Sequence, residues 1–209
     1  QEPFALVFSG QGFDWLTTLK TSVNQGASRT VAPLVEQANE LIAPVVDQIA
    51  GTRTVGFDPI GWASDAKEIS FDAAQAAISV PGIFVSQLAV LDVLESQGLD
   101  VDAAVTSLGH SQGILGVFAC QDLTRAAEVL AIAQLVGAAV TRQARVTGLV
   151  AQGDAGPMVA IGNITRKQLQ QAIDTACGDL DESIRPTIGL RNARTTYVLV
   201  GRPEDNRKI

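Results

Sequence analysis

The stretch GHSQG at residues 109–113 places the chain's single histidine beside a serine, Ser111, held between two glycines. Gly-x-Ser-x-Gly is the pattern of a nucleophile elbow when it joins a strand to a helix. Such a turn forces the serine into a strained backbone conformation, and glycines on either side remove the side chains that would clash. The flanking sequence supplies both neighbours. Residues 103–108 (AAVTSL) predict a short strand, and residues 114–120 (ILGVFAC) a helix rich in small residues. A helix starting under the serine offers unpaired backbone N–H groups that can hold an oxyanion. Ser111 is the candidate nucleophile and the Gln112 N–H an oxyanion donor; a structural glycine turn is the competing reading.

His110 does not complete the pair. A general base must reach the hydroxyl at roughly 2.6–3.2 Å. A neighbour on a tight elbow points away from it, so His110 reads as a pocket-wall or packing residue. A serine without a base is a weak nucleophile, and the constellation is incomplete on these residues alone. A second glycine turn, Ser9-Gly-Gln-Gly12, closes the apolar run FALVF at residues 4–8, read as a buried strand. Loops at the carboxyl ends of neighbouring parallel strands share one crevice. The backbone N–H of Gln11 is thereby a second oxyanion donor, unless this is an ordinary strand-to-helix turn.

Composition narrows the function classes. The 209 residues are 46% hydrophobic and 18% charged, enough for one sizeable core. A formal net charge of −7 argues against non-specific nucleic-acid binding. No uninterrupted apolar run approaches the roughly 18–20 residues of a membrane span, and no basic segment precedes an apolar stretch at the N-terminus, so neither a membrane association nor a signal peptide is expected. Cys120 and Cys177 lie far apart without metal-ligand spacing. They read as reduced thiols, in keeping with a cytoplasmic setting and no metal site.

Along the chain, residues 31–49 carry a helical apolar period that Pro44 should kink or split. Residues 51–71 read as loop with short pieces. Phe84, Leu88, Leu91 and Leu94 predict an amphipathic helix with Pro81 in its first turn, stopped by Gly98. Residues 122–144 predict a long helix apolar enough to be buried or to line a pocket. Trp15 and Trp62 read as packing. A break near residues 151–157 separates a second pattern, with Thr165 as the N-cap of a helix over 165–177 and strands over 158–161, 187–190 and 195–200. Its order β-α-β-β-α is that of a ferredoxin-like unit short of its end. The expected organisation is a core over residues 1–153 and an incomplete ferredoxin-like subdomain over 154–209.

FSGQG at residues 8–12, the helix VPGIFVSQLAVLDVL at 80–94, GHSQG at 109–113 and the trailing ferredoxin-like piece together resemble the malonyl/acetyl-transferase type of acyltransferase. More narrowly, the chain looks like the acetyltransferase domain of fungal and actinobacterial type I fatty acid synthases. Malonyl-transferring relatives read Gly-His-Ser-Leu-Gly-Glu, so Gln112 and Ile114 stand where leucine and glutamate are expected. The resemblance implies an α/β class: an α/β-hydrolase-like parallel-sheet core with an inserted ferredoxin-like subdomain, truncated at the C-terminus. It implies Ser111 as the acylated residue, the N–H groups of Gln11 and Gln112 as the oxyanion hole, and a base histidine beyond Ile209.

Malonyl-specific members carry an arginine on the helix after the elbow. Here that position falls at Val136, and no cation lies between Arg125 and Arg142. An unpaired carboxylate against such apolar neighbours would cost several kcal/mol, so a small uncharged acyl group is expected unless the register slips and leaves Arg142 available. Asn192, expected in a turn, matches an asparagine that members place near the site, and Met158 is a candidate lining residue; a turn role and a strand-core role are their competing readings. The implied reaction moves acetyl from acetyl-CoA to the phosphopantetheine thiol of an acyl carrier protein within a large fatty acid synthase assembly, with no metal or organic cofactor. A malonyl- or palmitoyl-type transferase, a serine hydrolase or thioesterase, and a non-catalytic module are the alternatives.

Overall fold

The computed structural model describes residues 2–45, 56–67, 75–147 and 157–209. Most of the predicted break at 151–157, and part of the loop region 51–71, lie outside them. The chain divides into two compact units, Gln1–Thr141 and Arg142–Ile209.

The first unit opens with β1 (Ala5–Phe8), which pairs in parallel with β2 (Thr106–Gly109), Phe8 facing Gly109. Between them run α1 (Trp15–Asn24), α2 (Ser28–Ile42), α3 (Pro59–Ala63) and α4 (Ala76–Ser96). A 3-10 turn at Ser111–Gly113 follows β2 and leads into α5 (Ile114–Gln121); α6 spans Ala126–Val146. Parallel strands need a long crossover, and four helices provide it. The predicted strand begins later than expected, at Thr106, because residues 101–103 form a 3-10 turn. Helix α1 was not predicted, although Asp14 caps it by accepting from the Thr17 N–H and Trp15 and Leu19 face the core together.

Helix α4 departs furthest from expectation. It starts at Ala76, so Pro81 lies inside it, and it is buried on every side from Ala77 to Ala89 rather than along one stripe. Its first turn has no side-chain cap of its own; the Thr141 hydroxyl of α6 accepts from the Ala77 N–H at 2.9 Å. Trp15 lies flat against Gly82, where a Cβ would stand 2.6 Å from the indole ring. Helices α4 and 123–146 are each long and apolar enough to cross a membrane by length and composition, a correction to the absence of such a segment. For α4 the cause of that composition is the core: 83% of its apolar window is buried against other elements.

The second unit is a three-stranded antiparallel sheet in the order β3-β5-β4, with β3 (Met158–Ile161), β4 (Thr187–Ala193) and β5 (Thr196–Val200). Helix α7 (Arg166–Cys177) packs Leu169 and Ile173 onto Tyr197 and Leu199, and α8 (Pro203–Asn206) follows. The split β-α-β order is the ferredoxin-like one. Thr165 caps α7 as predicted, in a reciprocal box with Gln168. Strand β4 runs to Ala193, beyond its predicted end, and the turn shrinks to Arg194-Thr195.

Candidate active site

Phe8 and Gly109 end their strands side by side, so the turns that follow both strands emerge together. Ser111 has φ +54°, one of three non-glycine residues with positive φ among those described. That conformation costs a serine about 1–3 kcal/mol, and the flanking glycines show why the cost is borne. A Cβ on Gly109 would stand 2.4 Å from the Ile114 nitrogen, and one on Gly113 2.2 Å from the Phe8 carbonyl oxygen. The turn is locked by the His110 N–H donating to Phe8 O and the Gly113 N–H donating to His110 O, both at 2.9 Å. Ser111 is exposed, at the start of the turn leading into α5.

The loop after β1 lies directly against this hydroxyl. A Cβ on Gly10 would be 2.8 Å from Ser111 Cβ and 3.4 Å from its Oγ. Only glycine lets the backbone pass so close. The next residue is Gln11, whose N–H takes part in no backbone hydrogen bond among the described residues. Gln112 is the second residue of the turn leading into α5, where N–H groups have no partner one turn back. The two predicted oxyanion donors thus sit on the two turns that flank Ser111. No described residue hydrogen-bonds the Ser111 hydroxyl; His110 contributes its backbone to the elbow and its side chain is exposed.

Helix α4 braces both turns. Gln11 Nε2 donates to Ser79 Oγ at 3.1 Å, Gln112 Nε2 to the Val80 carbonyl at 3.3 Å, and Gln87 Nε2 to the Ser9 carbonyl at 2.7 Å. Gln112 Oε1 is buried without a partner. Neither Ser79 nor Gln87 was singled out from sequence. Their signal was there: a glutamine and two serines inside an otherwise apolar buried helix need partners.

Val136 lies on α6 and is 49% exposed, in one row with Ile132 and Val140. Its neighbour Gly137 packs so tightly on α4 that a Cβ would stand 2.3 Å from the Ala76 carbonyl oxygen. Arg125 is paired with Glu128 at 2.7 Å. In the second unit, Met158 is 47% exposed on β3, opposite Val200. Asn192 is not in a turn: it is the extra residue of a bulge in β4, between Arg191 paired with Tyr197 and Ala193 paired with Thr196. Cys120, away from the elbow at the far end of α5, has its thiol pushed up to about 11 by burial and the nearby Glu95 and Asp102. It is no nucleophile at neutral pH. Among the described residues no three His, Cys, Asp or Glu side chains are grouped to hold a metal.

Known proteins resemble this chain in sequence and in fold. A reducing polyketide synthase, grgA of a Penicillium species, is 26% identical over 200 residues, 95% of this chain but 7% of that protein. An acyl-carrier-protein S-malonyltransferase from Bartonella henselae superposes with a TM-score of 0.56 at 21% identity, over 99% of this chain and 57% of the other. The corresponding Burkholderia pseudomallei structure gives 0.58 at 16% identity, again over 57% of its length. The chain therefore spans just over half of these acyltransferases and a small part of the synthase, and it shares their fold. The family model described as "Starter unit:ACP transacylase in aflatoxin biosynthesis" matches residues 6–208. The chain belongs to that starter-unit transacylase family, on an α/β acyltransferase fold.

Proposed function

We propose that this chain carries the nucleophile and oxyanion hole of an acyl-carrier-protein transacylase that loads a small, uncharged starter acyl group, acetyl in the simplest case. One observation carries the reading: Ser111 is held at φ +54° on the turn between β2 and α5, with Gly10 so close that a Cβ there would stand 2.8 Å from the serine Cβ and 3.4 Å from its Oγ.

The reaction is two acyl transfers. Ser111 Oγ attacks the thioester carbonyl of acyl-CoA and gives up its proton to a base. The N–H groups of Gln11 and Gln112 hold the tetrahedral oxyanion, each such donor being worth about 10²–10³ in rate. The CoA sulfur leaves with the proton, and the acyl ester stays on Ser111. The phosphopantetheine thiol of the carrier protein then attacks that ester, and the serine recovers its proton as the thioester forms. We take the base to be a group other than His110, whose side chain is exposed and makes no hydrogen bond to the Ser111 hydroxyl among the described residues. The absence of a cation between Arg125 and Arg142 supports an uncharged acyl group over malonyl. The curated relative favours a polyketide synthase as host, whereas the resemblance read from the sequence alone favoured a fatty acid synthase.

The test is radiolabelled acetyl-CoA given to the intact parent protein. One acetyl group should be recovered on Ser111, persist in water, and move to carrier protein on addition. Ser111→Ala should take up none. Equal labelling of that variant overturns the reading, and rapid release of acetate from Ser111 would make the protein a thioesterase instead.

A further inference from the structure

We infer that Gln87 is a positioning residue of this site: its side-chain amide sets where the loop after β1 lies and so aims the Gln11 N–H at the oxyanion. The inference rests on the transacylase reading above. Gln87 is 7% exposed, in the middle of the buried helix α4. A carboxamide there loses its water and must find partners inside the protein. Its Nε2 donates to the Ser9 carbonyl at 2.7 Å, across 78 residues of sequence. Its Oε1 faces α5: a Cβ on Gly116 would stand 2.9 Å from it and 2.5 Å from the Phe8 ring. The amide is thus wedged between the end of β1 and the helix that begins at the elbow.

The loop needs such a hold. Gly10 has no side chain, because one would collide with His110 and Ser111, and Gly12 is at φ +91°. Two glycines around Gln11 leave its peptide free to rotate unless other groups fix it. Both side-chain bonds that fix it come from α4, one from Gln87 to Ser9 and one between Gln11 and Ser79. Ser9 is the residue whose carbonyl begins the peptide of Gly10, where an added Cβ would stand 3.4 Å from the Ser111 Oγ. Losing the Gln87 bond releases the loop on its oxyanion-hole side and leaves Ser111 itself, held by the bonds around His110, untouched.

The experiment compares the intact parent protein with Gln87→Met and Gln87→Glu, reading single-turnover acylation of Ser111 by acetyl-CoA. Methionine keeps the shape and removes the donor. Acylation should slow by about tenfold to a hundredfold, the scale of a misaligned oxyanion donor, with KM close to wild type and the melting temperature lowered by no more than the loss of one buried hydrogen bond brings. Glutamate adds a readout that packing alone would not move. Protonated, its O–H can donate to Ser9 O; ionised, it cannot, and burial raises its pKa. The ratio of Gln87→Glu to wild-type acylation should therefore climb as pH falls. Wild-type acylation by Gln87→Met, or a loss confined to KM or to melting with a flat ratio for Gln87→Glu, overturns the inference. A wild-type protein that never acylates Ser111 sinks the transacylase reading first, and this one with it.

Discussion

Helices α4 and α6 are both 21 residues long and both apolar, yet they stand in opposite relations to their surroundings. Helix α4 is buried without a break from Ala77 to Ala89. Helix α6 buries mainly small residues, among them Ala127, Ala131, Gly137 and Ala138, with Leu130 the large exception, and shows Ile132, Val136 and Val140, each about half exposed. Hydropathy does not separate the two. What separates them is the polar complement. Two polar groups of α4, Ser79 and Gln87, reach out to the site turns, whereas Gln134 and Thr141 of α6 face inward, to Asn39 and to the first turn of α4. An apolar helix whose polar groups hold the turns around Ser111 is a scaffold. One with small residues inside and large ones outside packs closely on one side and presents a surface on the other.

The largest test of that contrast is truncation. Phe84, 1% exposed on α4, should cost about 3–5 kcal/mol when replaced by alanine, because the cavity adds to the lost transfer energy. Ile132→Ala, at 54% exposure on α6, should stay within about 0.5 kcal/mol. Urea denaturation of the two variants measures the difference. Equal losses would mean that α6 is as deeply packed as α4.

A smaller effect is expected where the helices meet. Thr141→Val keeps the shape and leaves the buried Ala77 N–H without its acceptor, a loss of about 1–3 kcal/mol. Amide exchange should report it as faster opening of the first turn of α4, with the elbow turn protected as before. Uniformly faster exchange throughout the first unit would show that Thr141 supports packing rather than the cap.

These helices also mark what could be read from sequence. The elbow was legible because its requirements are local: a strand end, two glycines and a helix start within a dozen residues. Capping of α7 was legible for the same reason, with Thr165 and Gln168 three residues apart. The start of α4 was misread because its cap is supplied from 64 residues away, so Pro81 took the role of a first-turn proline. Asn192 was misplaced because a bulge and a turn favour the same residue types, and only pairing with β5 tells them apart. The bracing of the loop after β1 was hidden by distance, since Gln87 and Ser9 are 78 residues apart. Local chemistry is written in spacing; the partner of a buried polar group is not.

The smallest expected change in stability bears most on function. Val136 is half exposed in the interior of α6, and arginine is a better helix former than valine, so Val136→Arg should shift stability by no more than about 0.5 kcal/mol. Its effect on acyl choice should be larger. A guanidinium at this position would pair with the free carboxylate of a malonyl group through charge-assisted hydrogen bonds worth about 1.5–3 kcal/mol, raising the malonyl-to-acetyl ratio of kcat/KM by about tenfold or more. The control is Arg142, six residues further on, which helix geometry puts about 9 Å along the axis and on a different face. Arg142→Ala should leave the ratio where it was. If Arg142→Ala instead removes what malonyl transfer there is, the cation that meets the carboxylate is Arg142, and the exposed row through Val136 does not select the acyl group.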